Sequence, residues 1–452
     1  MTDFPRKQLI SQRCLLVVAL GLAVINTSIP VHAATATGLE ARVATLESEL
    51  QELKAQLAQM RASDAAAAKP AASAAAAANP AGAATADGAS SALPAGATEA
   101  RPALTWFGYG ELNYTRPSED PSAARADLGR FVIGTGYRFD ERTRLESELE
   151  IEHAVSSAGD PGEVAIEQAY IEHELNGAAR VRAGLFLIPS GLLNENHEPT
   201  RYYGVFRNIV ETEIIPSTWR EGGVGFQGNT TRGLRWDAGV TTGFNLSKWD
   251  PASSAGTQSP LGSIHQELAL ARAAQPSAYL AANYTGIPGL RLGASVFGGG
   301  ASQRQPGMPG SRVLLWEGHA RWQPGAWDLA ALYARGHISG TAALNAALAA
   351  QLDDATLVPE DFYGAYLEAA WRGRVGRSWP LIPFARVERF NTGSGYAASG
   401  SGTPPPARAD QTAYTAGVQL EFAPGVVFKT DYVDVSGGSA GDRFDLGLGY
   451  AF

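Results

Sequence analysis

The sequence predicts an all-β transmembrane barrel of about sixteen antiparallel strands. Two observations favour this fold. Residues 444–452 alternate large apolar side chains with small or polar ones, which suits a strand that has lipid on one face and water on the other. Short turns and longer connections also alternate along residues 104–452, as a membrane barrel with turns at one rim and loops at the other requires. A soluble β-sandwich could end on such a strand, but it gives no reason for that regular alternation.

The period of two recurs in several earlier segments. Leu145, Leu149 and Ile151 are separated by charged or polar residues, so they are predicted to face outward while the charges face the lumen. Residues 164–175 show no clean alternation, which suggests a β-bulge. The other residues predicted to face outward are Val181, Ala183, Leu185, Leu187, Leu234, Trp236, Ala238, Val240, Phe244, Tyr414, Val418, Leu420 and Phe422.

The connections between strands fall into two classes. Short turns are predicted near residues 140–141, 176–177, 230–231, 286–289, 324–325, 373–378 and 424–425. Longer loops are predicted at residues 116–125, 155–162, 189–218, 247–275, 301–310, 339–360, 392–410 and 437–441. Residues 263–272 and 342–352 are predicted as short helices within two of the loops.

The first 103 residues are predicted to form three segments outside the barrel, which itself is predicted at residues 104–452. Residues 1–33 have basic residues before an apolar run and small residues near Ala33, as in a secretory signal peptide. Residues 34–61 carry a heptad pattern of apolar residues, which indicates a coiled-coil helix or, alternatively, a lone amphipathic helix. Residues 62–103 are rich in Ala and Pro and are interpreted as a linker.

Composition excludes several functional classes. The net charge of −9 argues against nucleic acid as a partner. Cys14 is the only cysteine and lies in the predicted signal peptide, so the exported chain would have no disulfide and no cysteine metal site. Beyond the N-terminal run, no apolar stretch is long enough for a transmembrane helix. An exported chain without disulfides must be stabilised in another way. A closed barrel does so because it leaves no strand edge unpaired.

One block of the sequence points to a family. Within residues 194–228, the elements Glu198-Pro199, Tyr203-Gly204-Val205, Glu211, Ile215-Pro216, Thr218-Trp219 and Glu221-Gly222 resemble the phosphate-selective porin O and P family. The resemblance extends more weakly over residues 104–452. It implies a sixteen-stranded barrel in the outer membrane, usually a homotrimer. The alternation of short turns and long loops places both ends of the predicted barrel in the periplasm, so the N-terminal helix is expected there.

The resemblance also implies a function, namely passive diffusion of small hydrophilic solutes through a water-filled lumen, with anions such as phosphate as candidates. Phosphate itself is not secured, because Lys248 and Lys429 are the only lysines in the predicted barrel. Two alternatives stay open at this point. One is an outer-membrane tether or adhesin with a closed barrel, and the other is a barrel lipase. No enzyme activity is expected, because no Ser and His come together at a predicted rim.

The candidate pore-lining residues are charged. Glu198, Arg201, Arg207, Glu211 and Glu213 lie in the third loop, where they would face the channel if the loop folds inward, or alternatively brace the loop against the wall. Arginine forks suit anions, although glutamates share the same predicted faces. The strand candidates are Arg138, Arg144, Arg180, Arg182, Arg235, Arg291 and Arg321.

No catalytic residue, metal site or cofactor is predicted. Residues 437–441 match a nucleophile-elbow pattern, but they fall in a predicted hairpin turn without a following helix. Residues 223–228 match a dinucleotide fingerprint, but they fall within a predicted strand. The histidines are scattered without metal-ligand spacing, and His319, between Glu317 and Arg321, is predicted to face pore water.

Overall fold

The computed structural model describes residues 103–373, 379–398, 402–437 and 441–452. The predicted signal peptide, coiled-coil helix and linker therefore lie outside the described residues, apart from residue 103, and they stay predictions. In the described part of the chain, no helix is both long and apolar enough to cross a membrane.

Sixteen strands of the described residues form one closed antiparallel barrel. This confirms the predicted antiparallel barrel and its strand number. The strands are β1 Leu104–Pro117, β2 Arg125–Arg138, β3 Thr143–Glu152, β4 Glu163–Asn176, β5 Ala179–Leu187, β6 Arg220–Asn229, β7 Leu234–Thr241, β8 Ser277–Ile287, β9 Leu290–Gly300, β10 Arg312–Trp322, β11 Trp327–Ser339, β12 Asp361–Trp371, β13 Leu381–Gly395, β14 Gln411–Ala423, β15 Val426–Ser436 and β16 Arg443–Ala451.

Closure joins the two ends of the barrel chain. Strand β1 pairs with β16 over nine positions, from Tyr109 opposite Ala451 to Pro117 opposite Arg443. Every other strand pairs with its neighbours in sequence. Such a ring leaves no sheet edge, so backbone N–H and C=O groups are satisfied within the barrel even without water.

The alternation of the last strand is confirmed by its exposure. Phe444 and Phe452 are 39% and 66% exposed, whereas Asp445 between them is fully buried. Large side chains are likewise exposed around the rim that carries the short turns, as in the aromatic girdle of a membrane barrel. They are Trp106, Tyr137, Phe139, Trp236, Trp322, Trp327 and Phe422.

The connections alternate in length as predicted. At one rim, β8 and β9 are joined through residues 288–289, and β14 and β15 through residues 424–425. Gly289 and Gly425 have φ of 76° and 75° in these turns, a conformation that glycine adopts without steric cost. At the other rim, the longest loops are residues 188–219 and 242–276.

One local prediction is wrong, and two predicted outward-facing residues are covered by a loop. Phe244 is not on the outer face, because β7 ends at Thr241 and the chain turns inward at Gly243 with φ of 73°. Leu185 and Leu187 keep the predicted outward parity, since Leu185 lies opposite the exposed Ala169, but both are buried. The Leu268 side chain packs against Gly222, the other residue opposite Leu185, in the space that a Cβ there would occupy. A loop segment therefore covers this part of the wall.

The predicted helices have different outcomes. The helix predicted at residues 342–352 is confirmed as Thr341–Gln351. The one predicted at 263–272 is wrong, because Glu267, Leu268 and Leu270 have φ between 52° and 58°, which interrupts any right-handed helix. The Gln266 side chain instead holds this segment, since its amide binds the Gly243 and Arg272 carbonyls.

Strand β4 contains the bulge suggested by its irregular pattern. Glu148 of β3 lies opposite Gln168, but the next residue, Leu149, lies opposite Ile166. Glu167 is therefore an extra residue in β4. As a result, Glu167 and Gln168 are both buried on the inner side, although they are adjacent in sequence.

Candidate functional site

The third loop, residues 188–219, folds into the barrel and is fastened to opposite walls. The Tyr202 hydroxyl donates to Glu111 of β1 at 2.8 Å, and the Tyr203 hydroxyl donates to Asp328 of β11 at 2.7 Å. From β15, the Lys429 ammonium donates to the carbonyls of Tyr202 and Gly204 at 2.7 and 2.8 Å. The loop thus spans the lumen, as expected from the sequence.

One side of the lumen is filled by apolar packing. Trp219, at the end of the third loop, stacks on Phe244 at a centroid distance of 5.3 Å and meets Phe297 edge-on at 4.5 Å. Ile214 and Ile215 are fully buried in the same cluster. This packing holds the loop rigidly against one part of the wall.

An open cavity of about 430 Å³ lies on the other side of the loop. Its walls come from the third loop and from strands β1, β2, β3 and β13 to β16, towards the rim that carries the long loops. Charged residues of both signs line it. They are Glu111, Asp127, Arg130, Glu152, Arg207, Glu213 and Arg443.

The five charged loop candidates have different positions. Arg207 and Glu213 line the cavity. Burial, followed by repulsion from Glu388, raises the pKa of Glu213 to about 7. Glu198 and Arg201 lie 4.0 Å apart, three residues apart along the loop.

Glu211 braces the loop. Its Oε2 accepts hydrogen bonds from the backbone N–H groups of Leu192 and Leu193, both at 2.7 Å. Its Oε1 accepts from the Tyr366 hydroxyl of β12 at 2.7 Å. Burial raises the pKa of Glu211, although these hydrogen bonds oppose the rise. Of the two roles left open by the sequence, this geometry corresponds to bracing.

The strand arginines gather at the rim of the short turns. Arg138 lies opposite Arg144 in the β2–β3 pair, and Arg291 lies opposite Arg321 in the β9–β10 pair. Several ion pairs of these arginines join one strand to another or a strand to the loop. Among them are Arg144–Glu172 at 3.1 Å, Arg180–Glu172 at 3.7 Å, Arg182–Asp237 at 3.9 Å, Arg235–Glu195 at 2.9 Å and Arg321–Asp328 at 2.7 Å.

Glu195 connects this arginine group to the third loop. It contacts Arg235 at 2.9 Å and Arg182 at 3.9 Å. Burial works against ionisation, but these two guanidinium groups hold the pKa of Glu195 below its ordinary value. The carboxylate therefore anchors the start of the loop to β5 and β7.

A second polar cluster was missed by the sequence analysis. His197 of the third loop meets Tyr109 of β1 and Glu167 of β4, with Arg130 of β2 donating to the His197 carbonyl. The only sequence signal was the irregular alternation of residues 164–175. The prediction for His319 is wrong, since it is 7% exposed and bonds Glu317 and Asn283.

The fold and the inward loop define a sixteen-stranded barrel of the porin type. Its fold is similar to OmpF of Salmonella typhi in complex with daunomycin, with a TM-score of 0.54 at 14% identity over 77% of this chain and 97% of that one. An anion-selective porin from Comamonas acidovorans gives a TM-score of 0.47 at 13% identity, over 77% of this chain and 99% of that one.

The chain belongs to the same family as an uncharacterized protein of Aquifex aeolicus (strain VF5). The two are 31% identical over 334 residues, which cover 72% of this chain and 74% of the relative. No family model matches the chain. The resemblance to phosphate-selective porins therefore stays a prediction.

Proposed function

We propose that this protein is an outer-membrane porin that allows passive diffusion of small hydrophilic solutes. The observation that carries the proposal is the cavity of about 430 Å³ inside the closed barrel, lined by charges of both signs beside the third loop. A barrel of about sixteen strands leaves an aqueous channel rather than a packed core. In this function no residue performs covalent chemistry, and the loop sets the width of the path.

The proposed function also implies how the protein is placed in the membrane and how its chains assemble. The exposed apolar band would contact outer-membrane lipid. The short turns would face the periplasm, where the predicted coiled-coil helix would lie. We propose a homotrimer, as the family resemblance implies, with the predicted heptads joining the chains below the membrane.

A preference for anions, phosphate among them, is the finer proposal. It is supported by two pairs of like charges, Arg138 opposite Arg144 and Arg291 opposite Arg321. Like charges directly opposite each other in a sheet repel, so an anion passing between them would relieve the repulsion. Rings of arginine favour anions in pores.

A structural tether with a closed barrel is the second candidate. The observation that favours it is the apolar packing of Trp219, Phe244 and Phe297, which fills part of the lumen. The two candidates differ in one measurable property, because a tether passes no ions.

Reconstitution of the purified full-length protein in a planar bilayer tests the function. A porin gives step-like currents, and the reversal potential in a potassium chloride gradient reports the preferred ion. Folded protein that gives no steps would reject the porin and favour the tether. Steps with a cation-selective reversal potential would retain the porin and reject the anion preference.

A further inference from the structure

We propose that Glu148, Glu167 and His197 form a binding site for a divalent transition-metal cation, which fastens the third loop to the barrel wall. One potential ligand atom from each residue lies within 4.8 Å of the others. Glu148 and Glu167 belong to β3 and β4, while His197 belongs to the third loop. A bound ion would therefore join two wall strands to the loop.

The bulge in β4 makes this arrangement possible. In a regular strand, neighbouring residues point to opposite faces. The register shift between Glu148 and Leu149 leaves Glu167 as an extra residue, and it points inward together with Gln168. Without the bulge, one of these two side chains would face the outside of the barrel.

The two carboxylates have unused acceptor atoms. Glu148 is 7% exposed, Glu167 is 0% exposed and His197 is 3% exposed. Within the described residues, Glu148 Oε2 and Glu167 Oε1 are buried and have no hydrogen-bond partner. Glu167 Oε2 accepts from the Tyr109 hydroxyl at 2.7 Å. Buried charged oxygens require compensation by a donor or a cation, and here one oxygen of each carboxylate lacks a donor.

The histidine is oriented as a metal ligand would be. His197 Nδ1 lies 2.9 Å from the Asn194 carbonyl oxygen, which can only accept, so Nδ1 carries the proton. In the neutral imidazole that binds a metal, the lone pair is then on Nε2, which lies 3.3 Å from Glu167 Oε1. A second-shell bond from Nδ1–H to a backbone carbonyl is the usual support of a metal-bound imidazole.

Tyr109 fits this assignment. Its oxygen lies 2.6 Å from His197 Nε2 and 2.7 Å from Glu167 Oε2. Because the hydroxyl has one proton, it can satisfy only one of these acceptors at a time. Donation to Glu167 leaves a lone pair on Nε2 facing the Tyr109 oxygen at 2.6 Å, and a cation bound at Nε2 would relieve this repulsion.

The local charge also favours a cation. Glu148, Glu150 and Glu167 are all buried in this region. The arginines near enough to interact with these carboxylates are Arg130, Arg207 and Arg220. Arg130 is already paired with Glu111 at 2.8 Å, and Arg220 is paired with Glu267 at 2.9 Å. A dication would therefore offset negative charge that the side chains leave uncompensated.

The donor set selects the type of ion. One imidazole nitrogen with two carboxylate oxygens suits Zn²⁺ and similar first-row cations. Ca²⁺ prefers sites made only of oxygen ligands, so it serves as the comparison ion.

Thermal unfolding of the full-length protein tests the site. After removal of metals with a chelator, saturating Zn²⁺ should raise the Tm by at least about 3 °C, because an ion that binds only the folded state stabilises it. The same concentration of Ca²⁺ should give a clearly smaller shift. If Zn²⁺ does not raise the Tm, the proposal is overturned. Protons, rather than a metal ion, would then neutralise the buried carboxylates.

Variants locate the effect. Glu167→Gln and His197→Gln should each abolish the Zn²⁺ shift. His337→Gln is the matched control, because His337 is a half-exposed histidine 3.3 Å from Asp361, away from this cluster, and its variant should keep the full shift. An equal shift in Glu167→Gln and the wild type would show that Zn²⁺ binds elsewhere and would overturn the site.

If both variants fail to fold, Co²⁺ provides a direct readout on the wild type. Ligation by one histidine and carboxylates should produce visible absorption bands that equimolar Zn²⁺ removes. Absence of such bands from folded protein would overturn the proposal. Neither readout measures conductance, so the metal site can fail while the porin function stands, and the reverse also holds.

Discussion

Arg291 and Arg321 lie directly opposite each other on β9 and β10, at the rim of the short turns. Arg321 is held by Asp328, with Nε and Nη2 donating at 2.8 and 2.7 Å, whereas Arg291 is solvent-exposed. The pair places two guanidinium groups at the edge of the proposed path. Asp328 also contacts Arg372 at 3.1 Å, so this one carboxylate is shared by two other arginines and does not neutralise Arg291.

We expect Arg291→Gln to shift the bilayer reversal potential towards cations, because it removes a lumen charge without disturbing the Arg321–Asp328 bond. Arg389→Gln is the control, since Arg389 is an exposed arginine on the outer face that pairs with Asp410. That variant should leave the reversal potential unchanged. Equal reversal potentials for all three proteins would contradict a role of this rim in selectivity.

Ion preference should also depend on pH. The pKa of Glu213 is about 7, raised first by burial and then by Glu388, and Glu213 lines the cavity. Below that pH its carboxyl is neutral, so the cavity becomes more positive and anion preference increases. The reversal potential measured at pH 6 and pH 8 should therefore differ in the wild type but hardly in Glu213→Gln. Glu119→Gln, at an exposed loop position, should keep the wild-type difference.

The Glu213 carboxyl also affects folding stability, and the direction of its pKa shift decides how stability changes with pH. Because its folded pKa of about 7 lies above the ordinary 4.5, folding favours the protonated form. Its contribution is therefore most favourable below about pH 4.5 and is lost as the pH rises through 7. Relative to the wild type, Glu213→Gln should lose less stability between pH 5 and pH 8 in denaturant titrations. An identical pH profile would contradict the raised pKa.

Glu211→Ala should loosen the third loop. The change leaves the buried N–H groups of Leu192 and Leu193 and the Tyr366 hydroxyl without their acceptor, at a cost of about 1 to 3 kcal/mol per unsatisfied group. The expected results are a lower free energy of unfolding and noisier single-channel currents. Tyr363→Phe, which removes an exposed bond to Asp410, should change neither quantity measurably. Quiet wild-type currents from Glu211→Ala would contradict the bracing role.

Lys429→Met should release the middle of the third loop from β15. The buried ammonium satisfies the carbonyls of Tyr202 and Gly204 and lies 3.7 Å from the centre of the Tyr202 ring. Its removal should lower the free energy of unfolding by about 3 kcal/mol and increase the mean conductance. Lys248→Met is the control, because that lysine is exposed in another loop. Comparable destabilisation by the two substitutions would show that the loop contact is not the cause.

The barrel itself was predictable because its determinants are local. The period of two in segments such as residues 444–452 and the alternation of short turns with long loops need only neighbouring residues to be recognised. The same local reasoning failed at Phe244 and at residues 263–272, where long-range contacts and left-handed backbone decide the path of the chain.

The sequence by itself determined that this chain closes into a membrane-type barrel. In each strand, alternate side chains point outward and inward, so the pattern of apolar and polar residues shows which side faces lipid. Only the tertiary structure decided which charges line the cavity and which brace the loop. Glu211 and Glu213 lie two residues apart, yet one is enclosed by hydrogen-bond donors and the other borders the cavity. Glu148, Glu167 and His197 likewise meet only in the folded chain. The irregular alternation of residues 164–175 indicates the bulge, but the contact of His197 with the two strands depends on the path of the inward loop, which no local pattern encodes.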